Sequence, residues 1–191
     1  MVALGAAVLL GPLPAGAAAA EMASTLCVAC HGEGGNSVVP TFPKLAGLQA
    51  DYLAKQLTDF IAGRRTNDVM MPAIPSVTPG DAPALAAYYA SQKPVPGKVD
   101  DPTLAAAGKK LYDTGNEAKG VAACSGCHLP KGEGDERNPR LAGQHQAYAI
   151  QQMMDFKTGA RKNDKGRVMR VIAQRMSEAE IKAVAEYLAA P

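Results

Sequence analysis

At 191 residues and a formal net charge of +2, the chain has room for one medium domain or two small ones. Its basic residues have too few aromatic neighbours to read as a nucleic-acid surface. Hydrophobic residues make up 47% but aromatics only 5%, with no Trp, so two small domains would have marginal cores unless a large apolar cofactor filled them. In chain order, Met1 to Ala20 carries no charge, and the first Lys or Arg is Lys44. The apolar run with Ala18-Ala19-Ala20 after it reads as an export signal with a small-residue cleavage site. Gly11, Pro12 and Pro14 interrupt it before it could span a membrane. Export predicts the periplasm; a leader kept instead of cleaved would allow peripheral membrane association.

The remainder of the chain reads twice. Cys27-Val-Ala-Cys30-His31 returns as Cys124-Ser-Gly-Cys127-His128, and Pro43-Lys-Leu-Ala-Gly47 as Pro139-Arg-Leu-Ala-Gly143. Tyr52, Gln56, Asp59, Phe60, Gly63, Arg65 and Asn67 return 96 positions later as Tyr148, Gln152, Asp155, Phe156, Gly159, Arg161 and Asn163. In each copy the spacing predicts a central helix ending at the glycine. A closing helix follows, opened by Thr78-Pro79-Gly-Asp81 or by Ser177-Glu178-Ala-Glu180. No stretch alternates as a strand. The chain is predicted all-α: an apolar segment over 1–20, domains over 21–92 and 103–191, and a Pro-rich linker over 93–102.

C-x-x-C-H is the covalent haem-attachment signature. The thiols, one helical turn apart, lie on one face and reach the porphyrin's two vinyl groups while the adjacent imidazole meets the iron. A zinc ribbon would bring its two C-x-x-C pairs within about 15 to 20 residues; here the pairs are 97 positions apart, one per copy. A thioredoxin-like pair would need a βαβ setting. Cys27, Cys30, Cys124 and Cys127 are thus candidate haem attachments, with His31 and His128 as iron ligands and two haem c groups as cofactors.

A sixth ligand comes from a methionine strap between the central and closing helices. The second copy offers Met169 and the first Met70 or Met71. Counting back from the closing helices pairs Met70 with Met169. Met71, however, precedes Pro72, which holds it extended; the sequence reading takes Met71, with Met70 as the alternative. His/Met ligation leaves no open coordination position. Pro43 and Pro139 could offer carbonyls to the histidine Nδ1 atoms. Arg65 and Arg161, with Tyr52 and Tyr148, are either propionate partners or ordinary surface and core residues. His145 has no counterpart and reads as a surface or supporting residue.

These motifs, with Asn36-Ser37, Leu85-Ala-Ala-Tyr88, Ser91-Gln-Lys-Pro94 and Met169-Arg170, resemble the dihaem cytochrome c4 family, over about Glu21 to Leu188. The resemblance implies two tandem class I cytochrome c domains facing across a pseudo-twofold, with His/Met haems and propionates near the interface. It implies a one-electron carrier, not an enzyme. The partners would be redox proteins: an upstream quinol-oxidising complex and a membrane-bound terminal oxidase. The alternative is the dihaem cytochrome subunit of a flavin-containing sulfide dehydrogenase. Charge is uneven: Lys and Arg number 5 against 6 acids up to Val95, and 15 against 12 beyond it. The cluster around Arg161-Lys162-Lys165-Arg167 suits an acidic docking partner.

Overall fold

A computed structural model describes residues 14–190, so residues 1–13, with most of the expected leader, lie outside the described part. Helix α1 (Ala15–Met22) runs through one wide π-turn, Ala23–Cys27, into α2 (Val28–His31). An alanine run has the highest helix propensity and no side-chain entropy to lose. Ala19 and Ala23 are buried in the first core with Leu85 and Tyr89 of α4 (Asp81–Ala90). The helix begins at Ala15 and its buried side begins at Ala19. Small residues suit a cleavage site and a close helix crossing equally, and composition alone does not separate the two.

Between them lie α3 (Ala50–Ile61) and a 3-10 segment, Met71–Ser76. Helix α4 opens behind Gly80 with no side-chain cap; in place of the expected Thr78 cap, the Thr78 N–H and hydroxyl both donate to the Asp81 carboxylate, at 2.8 and 2.7 Å.

The second domain repeats the plan with more helix. Helix α5 (Pro102–Thr114) is capped by Asp101, whose Oδ1 accepts from the Thr103 and Leu104 N–H groups. Then come α6 (Ser125–His128), α7 (Gln146–Thr158), α8 (Val168–Arg175) and α9 (Glu178–Leu188). Helix α9 starts in a full capping box between Ser177 and Glu180. Helices α5 and α9 cross at Gly108, where a Cβ would sit 1.8 Å from the Ala183 carbonyl oxygen. Tyr112, Met176, Ile181, Val184 and Leu188 close the core beneath that crossing. The two copies thus build tandem all-α domains, and among the described residues the only β pairing is an isolated bridge between Asn116 and Val121.

The Pro-rich connection is pinned at both ends. Asn36 accepts the Val95 N–H at 2.7 Å and donates to the Lys93 carbonyl at 3.1 Å. On the other side Glu186 accepts the Asp101 N–H at 2.9 Å.

Candidate functional site

Each C-x-x-C-H motif ends in a single helical turn, α2 or α6, that turns its histidine inward: His31 is 9% and His128 6% exposed. Burial holds both imidazoles below the usual histidine pKa, partly offset by the carbonyls they meet. Those carbonyls are the expected ones: His31 Nδ1 lies 3.0 Å from Pro43 O, and His128 Nδ1 lies 2.9 Å from Pro139 O. An Nδ1–H donated there leaves Nε2 as a free lone pair, and among the described residues no hydrogen bond engages Nε2 of either ring. Two neutral, oriented imidazoles with free Nε2 atoms are the donor set an axial haem ligand requires.

Burial raises the Cys27 thiol, and it pushes Cys124 up to about 11. These are not preformed thiolates. The four cysteines are unpaired, and among the described residues no three His, Cys, Asp or Glu side chains gather to hold a metal ion. Covalent attachment needs only two reachable thiols per domain. In the first domain the buried Tyr89 hydroxyl lies beside the Cys27 thiol, with no nitrogen or oxygen partner. Leu45, Leu53, Leu57 and Ile61 pack on the same cluster only half buried. Half-covered apolar side chains beside the thiol fit a large apolar group.

The methionine straps differ in build. Past Asp164 the second copy holds three extra residues, Lys165–Arg167, which form their own turn with Gly166 and Arg167 at positive φ. Beyond the turn the copies run in one register, 99 apart: Ile74 and Ala173 are both buried, and so are Val77 and Met176. That register pairs Met70 with Met169 and Met71 with Arg170. Asn67 Oδ1 caps the first strap by accepting the Val69 and Met70 N–H groups, each at 3.1 Å.

The arginines are neither surface charges nor paired with acids. Arg65 and Arg161 are each 8% exposed, on opposite sides of the seam between the domains. Arg65 Nη2 donates to Tyr148 Oη at 3.1 Å and Gln152 Oε1 at 2.7 Å. Arg161 Nη2 mirrors it on Tyr52 Oη at 3.1 Å and Gln56 Oε1 at 3.0 Å. Each guanidinium also lies over a phenylalanine of its own domain, Phe60 or Phe156. Burial opposes ionisation of Tyr52, but Arg161 and Arg65 outweigh it and pull the phenol below its ordinary range. Among the described residues no carboxylate forms an ion pair with either arginine. Two buried cations without anions of their own call for anionic groups to be supplied, and haem propionates are such groups.

Some of this seam was not read from the sequence. Gln56 and Gln152 look like faults in an apolar stripe, yet they are the shared acceptors of both arginines. Asn163 adds bonds to Gln56 and Asp59 across the seam at 2.9 and 2.7 Å. The available signal was a polar residue repeated unchanged on a helix face otherwise apolar. His145, Gln144 and Gln49 also reach across, onto backbone.

The family model for cytochrome c matches twice, over residues 16–93 and 105–190. Cytochrome c4 of Thiocapsa roseopersicina is 46% identical over 87% of this chain and 87% of its own length. Cytochrome c4 of Azotobacter vinelandii is 42% identical over 90% of this chain and 87% of its own. A thiosulfate dehydrogenase electron acceptor of Thiomonas intermedia is 41% identical over 93% and 83%. Among solved structures, reduced recombinant cytochrome c4 from Pseudomonas stutzeri superposes with a TM-score of 0.87 at 38% identity, covering 92% of this chain and 97% of the other. Twin haem motifs, the duplicated fold and these likenesses have one reading: the chain carries two covalent haem c groups and belongs to the cytochrome c4 family of dihaem electron carriers.

Proposed function

We propose that the protein is a periplasmic one-electron relay, taking electrons from an upstream quinol-oxidising complex and passing them to a membrane-bound terminal oxidase. The observation that carries this is the repeated ligand arrangement: a buried neutral histidine fixed by a proline carbonyl, followed in the same domain by a methionine strap. The bound haems supply the reversible one-electron chemistry. The chain attaches them through Cys27, Cys30, Cys124 and Cys127 and binds the irons by His31 and His128. Met169 completes the second site. Met70 replaces Met71 as our reading for the first, because the strap register pairs it with Met169. With a histidine and a methionine to hold each iron, substrate would find no open position there, which suits transfer and not turnover. Arg65 and Arg161 would pair with the propionate charge of the bound haems.

Among the described residues no helix is long and apolar enough to cross a membrane. The turn Lys165–Arg167 and Lys162 present exposed cations beside Val168, which is 54% exposed. That surface suits an acidic partner at the second domain.

A second reading keeps the carrier role and changes the donor. Relatives named as electron acceptors of thiosulfate dehydrogenase, one of them 41% identical, favour a sulfur-oxidising donor. The deciding experiment measures reduction of the holoprotein by a purified thiosulfate dehydrogenase and by a quinol-oxidising complex. Faster reduction by the quinol-oxidising complex supports the first reading, and the reverse supports the second. The ligand assignment is checked by the methionine-to-iron charge-transfer band of the ferric protein. Met70→Ala and Met169→Ala should each remove about half of it, while Met71→Ala leaves it whole. Loss in Met71→Ala alone would restore Met71.

A further inference from the structure

The contacts between the domains are reciprocal and aimed at the loops that orient the histidines. Gln49, just before α3, reaches into the second domain: its Nε2 donates to Glu133 O at 2.9 Å, and its Oε1 accepts the Arg140 N–H at 2.8 Å. Arg140 directly follows Pro139, whose carbonyl holds His128 Nδ1. The second domain answers with two residues. His145 Nε2 lies 2.9 Å from Ser37 O, and Gln144 Oε1 accepts the Lys44 N–H at 3.0 Å. Gln144 Nε2 also donates back to Lys44 O at 3.0 Å. Lys44 directly follows Pro43, whose carbonyl holds His31 Nδ1.

Lys44 and Arg140 are equivalent at the 96-residue offset, and Ser37 and Glu133 lie in the matching loops between the haem histidine and that residue. In one direction Gln49 alone carries out both tasks; in the other, His145 and Gln144 divide them. His145 stands at the place of Gln49, and Gln144 at the place of Leu48. The missing counterpart of His145 is thus a change of residue at a preserved contact.

We infer that Gln49 on one side, and Gln144 with His145 on the other, are positioning residues: each domain fixes the loop that orients the other domain's haem-ligating histidine. This rests on the haem reading above. A proline carbonyl that accepts from Nδ1–H raises imidazole basicity and favours the ferric iron. A clamp on the next peptide limits how far that carbonyl can turn away. Releasing the clamp weakens the hydrogen bond and favours the ferrous state of the opposite haem. Docking of the domains is therefore part of what sets each haem's redox equilibrium.

The test uses the full holoprotein with Gln49→Leu and Gln144→Leu. Haems are distinguished by their paramagnetically shifted methyl resonances and titrated between oxidation states. Gln49→Leu should shift the one-electron equilibrium of the haem on His128 about threefold or more towards the ferrous form, leaving the haem on His31 in place. Gln144→Leu should do the converse. A second readout is hydrogen exchange at the Arg140 and Lys44 N–H groups, which should quicken only at the peptide that lost its acceptor. A shift confined to the variant's own domain, equal shifts in both haems, or none in either would overturn the inference. Two resolved haem titrations in the parent protein stand whatever the variants do, so failure here leaves the carrier reading intact.

Discussion

Leu129 follows the second haem histidine at φ 65, a left-handed conformation that the first copy assigns to Gly32 at φ 72. A non-glycine residue there costs about 1 kcal/mol or more. The structure holds it by a hydrogen bond from the buried Tyr112 hydroxyl to the Leu129 carbonyl, at 2.6 Å. The side chain is 37% exposed and contributes modest burial. Leu129→Gly should raise the stability of the second domain by about 1 kcal/mol, read from denaturant unfolding of the oxidised holoprotein. At this scale the cysteines, histidines and prolines were legible, because covalent and coordinate chemistry demands fixed spacing. The seam glutamines were not, because one amide on a helix carries no local sign of what it will face.

Helix α9 shows how an element is set by its ends. Glu180 accepts from Lys119 Nζ, Ser177 N–H and hydroxyl, and Asn116 Nδ2. These donors hold its carboxyl at about 2, below the ordinary 4.5. A carboxyl depressed in the fold adds stability above 4.5 and loses it as pH falls from there towards 2. Thermal midpoints of the parent protein should fall through that window more steeply than those of Glu180→Gln, which lacks the titrating group. The crossing of α5 on α9 is more demanding. Gly108→Ala places a methyl 1.8 Å from the Ala183 carbonyl oxygen, which forces the helices apart. We expect a loss of about 1–3 kcal/mol or more, seen as an early unfolding step confined to the second domain. Ser177-x-x-Glu180 was readable as a helix start from sequence, being a local pattern. The helical start at Ala15 was not, since its stabilising partners lie in α4, some 60 residues along the chain.

Across the whole molecule the duplication makes a seam that neither copy predicts alone. Arg161 donates to Gln152, Tyr52, Gln56 and Asn163. Arg161→Leu leaves Tyr52 Oη and Asn163 Oδ1 without their donor, while Gln56 and Gln152 keep Arg65, so the cost is about 1–3 kcal/mol for each of the two groups left unpaired. The seam should loosen, and trypsin should then cut the connection after Lys98 several-fold faster than in the parent. An unchanged cleavage rate would mean that the docked state does not depend on this network. The repeat made two domains legible, but their mutual orientation emerged only where side chains separated by about a hundred residues met. A carrier role requires two saturated irons in one chain. Its most direct test is a reductive titration of the holoprotein, followed by addition of carbon monoxide at neutral pH. Uptake of two electrons per chain with no carbon monoxide complex at either haem is the predicted result. A single electron, or a haem that binds carbon monoxide readily, would contradict it.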